Sequence, residues 1–297
     1  MSQKRSFRKR AQYAVLARAA FALAFTARRL PHGAALSLGA RIGGLMHAAL
    51  GSRRRTAQQN VDAAFPEKTA QERQNIVRDH FRHLGQNIVE LLLFPQWERR
   101  FQTRVQIVGR AEAEKAAEQG RGVILFIPHT GNWEILAPLS PQFLPKPMAI
   151  AQPLPHPSLD ALAVQCRSSA GLELTPREGA LKKVVRGLRE GRAAGFLADQ
   201  DAGPSGIPTL FFGRYASAER SPAALSRKLG CPLLLCAPFR NGGGKHTVFI
   251  EPIPQGGSDR ETLQNIYARL EQLIRERPSQ WLWTHRRWKT EFPSSSP

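Results

Sequence analysis

With 297 residues and 42% hydrophobic side chains, the chain can bury a full core, as one large α/β domain with an appended segment or as two small domains. Its three cysteines (Cys166, Cys231, Cys236) form no Cys-x-x-Cys pair and have no histidine at metal-ligand spacing, which argues against a disulfide framework and a zinc site and for a reducing compartment. Lysine and arginine total 43 against 23 acids, and the span from Met1 to Arg55 carries twelve basic residues and no acid, so this end needs an anionic surface: lipid headgroups or nucleic acid.

The first segment, residues 1–50, is basic and rich in alanine. Tyr13 to Phe25 is apolar but short for a bilayer span and interrupted by Arg18; a second apolar run, Gly33 to Gly51, also holds an arginine. An interfacial helix with snorkelling arginines fits this pattern, with a presequence or an RNA-binding arm as the other readings. No small-residue cleavage pattern follows, and the leading positive charges favour a cytoplasmic N-terminus. Residues 51–290 form the main domain, and 291–297 are a Ser/Pro tail expected to be disordered.

From Arg55 to Pro95 the apolar spacing is helical, with a capping-box spelling at Thr69–Glu72. His80 and His83 lie one turn apart and read as surface or packing histidines. Strands are expected at 105–109, 122–127, 148–151, 172–174, 194–198 and 232–237, the last joined through Asn241–Gly244 to a hairpin partner at 246–252. Helices are expected at 111–118, 133–139, 159–169 (capped by Ser158), 180–190 and 222–229, with a last one behind the second capping box at Ser258–Glu261. Strands alternating with helices indicate an α/β fold, a mixed, mostly parallel sheet flanked by helices.

The buried strand Gly122–Ile127 stops at Pro128 and delivers His129 into a Gly131-Asn132 turn, with Glu134 five positions on. A histidine that removes a hydroxyl proton works best with a carboxylate fixing its tautomer, and the offset across the turn can bring the two together. A strand–helix turn capped by His129 and Glu134 without chemistry is the plain structural alternative. No Gly-x-Ser-x-Gly elbow supplies a covalent nucleophile.

His129-Thr130-Gly131-Asn132-Trp133-Glu134 resembles the His-x4-Glu motif of the bacterial lipid A late acyltransferases, relatives of the glycerolipid acyltransferases. Arg54-Arg55-Thr56-Ala57 with Asn60-Val61 and Ala64-Phe65-Pro66 resembles that family's early helix pair. Asp199-Gln200-Asp201 with Phe211-Phe212-Gly213 resembles its second block, and Trp281 to Lys289 its C-terminal block. The blocks occur in the family's order from about residue 40 to 290.

The resemblance implies a glycerolipid-acyltransferase-like fold and acyl transfer from a thioester on acyl carrier protein to a hydroxyl of a membrane glycolipid, typically a lipid A precursor, at the cytoplasmic face of the inner membrane. In that mapping His129 is the general base, Glu134 orients it or shares its charge, and Asp199 is a second carboxylate. Arg167 holds an anionic headgroup. From the residues themselves, Asn132 and the Gly131 amide can hold the turn, and turn amides near Gly131 or a nearby arginine can serve a developing oxyanion. Arg214, Arg220, Arg286, Arg287 and Lys289 are candidates for phosphate contact. Trp281, Trp283 and Trp288 beside these arginines also fit an interfacial belt. No cofactor or metal is called for, since a thioester is already activated. Another membrane lipid, of the phosphatidylinositol mannoside or ornithine lipid type, is the alternative acceptor. A basic nucleic-acid-binding protein is the reading of a different class, and no RNA-binding signature accompanies it.

Overall fold

A computed structural model describes residues 2–292 except 152, 153, 155, 169–171, 177 and 178, with side chains described from residue 14 onward apart from those of 98, 151 and 176. Most of the expected 291–297 tail, the loop prolines Pro153 and Pro155, and the helix-ending Gly171 lie outside the described residues.

Four helices open the chain: α1 (Ser2–Arg29), α2 (His32–Ala49), α3 (Gly51–Ala64) and α4 (Ala70–Leu93). A short α5 (Trp97–Arg100) leads to β1 (Val105–Val108), α6 (Arg110–Glu118) and β2 (Val123–Ile127). Then come α7 (Leu136–Leu139), β3 (Met148–Ala151), α8 (Pro157–Ser168), β4 (Glu173–Pro176), α9 (Ala180–Arg189) and β5 (Ala193–Leu197). The last third holds β6 (Ile207–Phe211), β7 (Arg214–Ala218), α10 (Ser221–Leu229), β8 (Leu233–Arg240), β9 (His246–Pro252) and α11 (Asp259–Glu276).

Seven strands form one sheet in the order β1-β9-β8-β2-β5-β3-β4. Every neighbouring pair is parallel except β8 with β9, the expected hairpin. The mixed, mostly parallel sheet therefore matches the expectation. Parallel strands need crossovers that cover both faces, so β2 reads as an uninterrupted apolar run and is buried throughout. Side chains alternate between two cores. Ile124, Phe126, Ala194 and Phe196 pack with α9, α10 and α11, whereas Val123, Leu125, Ile127 and Ala193 face α4, α6 and α7.

Several local expectations shift. Residues 207–218 make a separate antiparallel hairpin, β6–β7, turning at Phe212 and Gly213, both at positive φ as a two-residue hairpin turn requires. α8 starts at Pro157, so Ser158 sits inside its first turn rather than capping it. The 133–139 helix is a one-turn 3-10 segment, Trp133–Ile135, followed by the single turn of α7.

The capping box on α4 forms as spelled: Thr69 accepts from the Glu72 N–H while Glu72 accepts from the Thr69 N–H. His80 and His83 face inward on this helix. Burial, with each other's proximity in the case of His80, pushes their pKa values down to about 3 and about 4. The apolar run around Gly33–Gly51 seats α2 on α4. A Cβ at Gly43 would lie 2.1 Å from the Phe81 carbonyl, and one at Gly85 2.1 Å from the Gly39 carbonyl. α1 buries Ala24 and Ala27 but leaves Val15, Leu16, Phe21 and Phe25 exposed. Among the described residues, no helix is long and apolar enough to cross a membrane.

Candidate active site

β2 and β5 are parallel neighbours with Ile127 opposite Leu197. Two residues beyond each strand end come His129 and Asp199. The register therefore places them face to face at the C-terminal edge of the sheet, where open α/β sheets bind ligands. The Asp199 Oδ1 lies 2.5 Å from His129 Nδ1, and Oδ2 accepts the His129 backbone N–H at 2.8 Å. Trp281 Nε1–H donates to the same Oδ2 at 2.8 Å.

Asp199 is only 2% exposed. Burial works against its charge, but His129 and the donors from His129 and Trp281 outweigh that and hold its pKa below the usual carboxylate range. An ionised Asp199 keeps the proton on Nδ1 and leaves Nε2 as the acceptor. The Gln200 side-chain amide lies 3.4 Å from that Nε2, and the Trp133 ring stands edge-on to the imidazole at 4.8 Å between centroids.

The turn after His129 is tightly held. Thr130 bridges to Trp281, and the Gly131 N–H donates to the Gln280 carbonyl at 2.7 Å. Gly131 has φ +49°, and a Cβ there would sit 2.4 Å from the Pro238 carbonyl, so only glycine fits. Its N–H is committed to the Gln280 carbonyl, so the Gly131 amide holds the turn, one of the roles the sequence allows, and is not free for an oxyanion. Asn132 is buried; its amide donates to Glu90 Oε2 at 2.7 Å, and its Oδ1 accepts the Glu134 N–H at 3.2 Å. This Asn cap starts the 3-10 turn and sets the direction of Glu134.

Glu134 does not turn to His129. Its carboxylate takes a two-pronged pair of hydrogen bonds from Arg167 of α8, at 2.8 and 2.6 Å, and this raises the Arg167 pKa. The carboxylate on His129 is that of Asp199. The 3-10 turn carries Glu134 past the imidazole, which a bare five-residue offset does not reveal. Arg167 is thus matched in charge rather than free for a headgroup.

Trp133, Glu134 and Arg167 line a cavity of about 810 Å³, counting its open end. Its walls are apolar: Leu125 and Ile127 of β2, Met148 to Ile150 of β3, Leu174 of β4, Leu197 of β5, and Leu136 and Ala137 of α7. Gly195 of β5 faces the same space, and a Cβ there would meet Ile127 Cδ1 at 3.0 Å.

Of the phosphate-contact candidates, Arg214, Arg286 and Lys289 are exposed and line one polar recess together with Arg55, Ser52 and Thr56. Arg220 is instead paired with Asp259 at 2.6 Å. Arg287 is fully buried, donating to the Ser217 carbonyl and the Tyr267 hydroxyl. Trp281 and Trp283 are buried as well and Trp288 is half-buried against the same core, so these rings pack inward rather than forming an interfacial belt. Sequence reading missed Trp281 as a ligand of Asp199. It also missed Glu90, whose signal was a lone acid inside the apolar run Ile88 to Leu93.

Residues 1–290 match the family described as bacterial lipid A biosynthesis acyltransferase. The chain is 27% identical over 268 residues to a lipid A biosynthesis palmitoleoyltransferase of Escherichia coli (strain K12), covering 88% of this chain and 87% of that one. It is 26% identical over 271 residues to a lipid A biosynthesis lauroyltransferase of the same organism, with the same coverage. A phosphatidylinositol mannoside acyltransferase of Mycolicibacterium smegmatis is 26% identical over 178 residues, 58% of this chain and 59% of that one. With the match running through the His129 turn, the Asp199 edge and the tryptophan-rich C-terminal block, this chain belongs to the bacterial lipid A biosynthesis acyltransferase family.

Proposed function

We propose that this protein transfers a fatty acyl group from the thioester of acyl carrier protein to a hydroxyl of a lipid A precursor at the cytoplasmic face of the inner membrane. The observation that carries the reading is the buried His129–Asp199 pair beside Trp133, which with Glu134, Arg167 and many apolar side chains lines a cavity. Neither feature alone implies acyl transfer; together they supply a proton acceptor beside a slot for a hydrocarbon chain.

In the first step His129 Nε2 takes the proton of the acceptor hydroxyl, and that oxygen attacks the thioester carbonyl. The imidazolium formed is held by Asp199, whose own position is held by Trp281. The tetrahedral intermediate then expels the thiolate, and the imidazolium returns the proton to sulfur. Hydroxyl and thioester become ester and thiol, with His129 neutral again. The thioester needs no covalent enzyme intermediate. The Gln200 amide stands beside Nε2 and is available to the reacting oxygens. Glu134 and Arg167 act together, as a paired acid and base in the cavity lining.

The acceptor is read as anionic because Arg55, Arg214, Arg286 and Lys289 share one recess and none has a carboxylate partner among the described residues. The acidic acyl carrier protein suits the same positive surface. Membrane attachment rests on the basic N-terminal segment and the exposed Val15, Leu16, Phe21 and Phe25, as peripheral insertion of α1. A mannoside-type glycolipid is the second reading, favoured by the phosphatidylinositol mannoside acyltransferase relative.

The deciding experiment gives the purified protein acyl-acyl carrier protein with either a lipid A precursor or a phosphatidylinositol mannoside, with His129→Ala as control. Mass spectrometry of lipids from a deletion strain then names the missing acyl group. Transfer to neither acceptor, or equal transfer by His129→Ala, overturns the reading.

A further inference from the structure

Behind the His129 turn lies a charged cluster with no part in the chemistry above. Glu90 of α4 is completely buried. Its Oε1 accepts from Arg240 of β8 and from His246 Nε2 of β9, the latter at 2.9 Å; its Oε2 accepts from the Asn132 amide at 2.7 Å. Burial opposes the charge on Glu90, but Arg240 and His246 more than offset it, so its pKa lies well below the ordinary carboxylate range. One helical turn earlier, Asn87 accepts from the same Arg240 at 2.6 Å and donates to the Gly131 carbonyl at 2.5 Å.

The ion pair sets both amides. An asparagine facing a carboxylate must present its NH2, which leaves the Asn132 oxygen for the Glu134 N–H. One facing a guanidinium must present its oxygen, which leaves the Asn87 NH2 for the Gly131 carbonyl. Two consecutive residues of the turn are thus oriented by one buried pair. The Gly131–Asn132 peptide is trans, so with its carbonyl drawn to α4 its N–H faces the opposite way. Trp133, which packs on the His129 ring, follows directly.

We propose that Glu90, with Arg240, is a positioning residue: acting through the Asn132 and Asn87 amides, it fixes the turn that carries His129, Trp133 and Glu134. A buried ion pair costs desolvation and is a weak source of stability compared with apolar packing. Its use here is directional, since a carboxylate and a guanidinium each dictate which end of an amide faces them, and an apolar side chain does not. The inference rests on the acyl-transfer reading for its kinetic consequence but not for its geometric one.

The test is Glu90→Gln in the full chain, with folding checked by circular dichroism and thermal melting. In the folded protein kcat for acyl transfer falls roughly tenfold to a hundredfold, as a slightly misplaced reacting group would cause. KM stays within about threefold. The His129 Nδ1–H resonance, read by NMR without substrate, shifts as the Trp133 ring moves. Adding Asn132→Asp restores a satisfied pair. The new amide at position 90 still accepts from Arg240 and His246 and now donates to a carboxylate at 132, and kcat recovers most of the loss.

A folded Glu90→Gln protein with wild-type kcat and an unmoved His129 signal overturns the proposal, as does a double variant no better than the single one. If Glu90→Gln does not fold, Asn87→Ala carries the test. It leaves the Glu90–Arg240 pair intact and removes the tie to the Gly131 carbonyl together with the Asn87 bond to Arg240; kcat falls about tenfold, and a wild-type kcat overturns the idea. An inactive wild-type protein would instead defeat the acyl-transfer reading, and the NMR signal still decides the positioning role.

Discussion

Asp199, not Glu134, holds His129: its carboxylate lies 2.5 Å from the imidazole Nδ1 and also accepts the His129 backbone N–H and the Trp281 indole N–H. Asp199→Asn keeps the shape but removes the charge that supports the imidazolium. Acyl-transfer kcat is expected to fall by about 10² to 10⁴, with the protein still folded. His129→Ala is expected to fall at least as far. An Asp199→Asn enzyme within a few-fold of wild type would show that the pair is structural only.

Glu134 and Arg167 are expected to behave as one unit. Each is mostly buried in the cavity lining, so single truncations leave the other charge unpaired. Glu134→Ala and Arg167→Ala should each lower activity sharply, with Glu134→Ala reaching the near-complete loss that its place beside the site implies. In a double-mutant cycle of unfolding free energies the pair should couple by about 1.5 to 3 kcal/mol. Additive effects would refute the pairing. A Glu134→Ala enzyme with wild-type turnover would remove Glu134 from the site.

Gly195 leaves space in the cavity that any side chain would take. Gly195→Leu is expected to discriminate against long acyl donors while short ones still react. The readout is kcat/KM across donors of increasing length; an unchanged length preference would show that the chain lies elsewhere. Gly195→Ala brings its Cβ only to 3.0 Å from the mobile end of Ile127, so its effect should be much smaller.

Arg214→Gln, Arg286→Gln and Lys289→Gln are expected to raise KM for an anionic acceptor, progressively as they are combined, and to flatten the salt dependence of kcat/KM. A neutral acceptor analogue should show neither effect. On α1, replacing Val15, Leu16, Phe21 and Phe25 with serine should release the protein from sedimented membranes, since each side chain contributes about 1.5 to 3 kcal/mol of burial. Undiminished sedimentation would place the anchor elsewhere.

His80 and His83 make stability depend on pH. Their folded pKa values, about 3 and about 4, lie below the ordinary 6.5. Above 6.5 both are neutral folded or unfolded, and their contribution is complete. As pH falls, only the unfolded chain takes up these protons, so each costs about 1.4 kcal/mol per pH unit. The loss runs down to about 4 for His83 and about 3 for His80. Urea denaturation at several pH values should show this slope, and His83→Gln should reduce it between 6.5 and 4. An unchanged slope would mean that His83 is solvated when protonated.

The sequence by itself determined the alternation of strands and helices, the uniformly apolar β2, both capping boxes and the delivery of His129 into a glycine turn. Those are local properties, written in the spacing of apolar residues and in side chains that bond their own backbone. Tertiary structure decided the partners. Asp199 lies 70 positions from His129, yet the parallel register of β2 with β5 brings them together. The 3-10 geometry after Asn132 sends Glu134 to Arg167, 33 positions on. The C-terminal tryptophans looked like a surface belt because composition cannot tell an amphipathic ring at an interface from one in a core. Only packing put Trp281 on Asp199 and buried Arg287 against Tyr267. Glu90, an acid in an apolar run, was visible as an anomaly, but its meaning depended on Arg240 and His246, which the β8–β9 hairpin brings to it from 150 residues away.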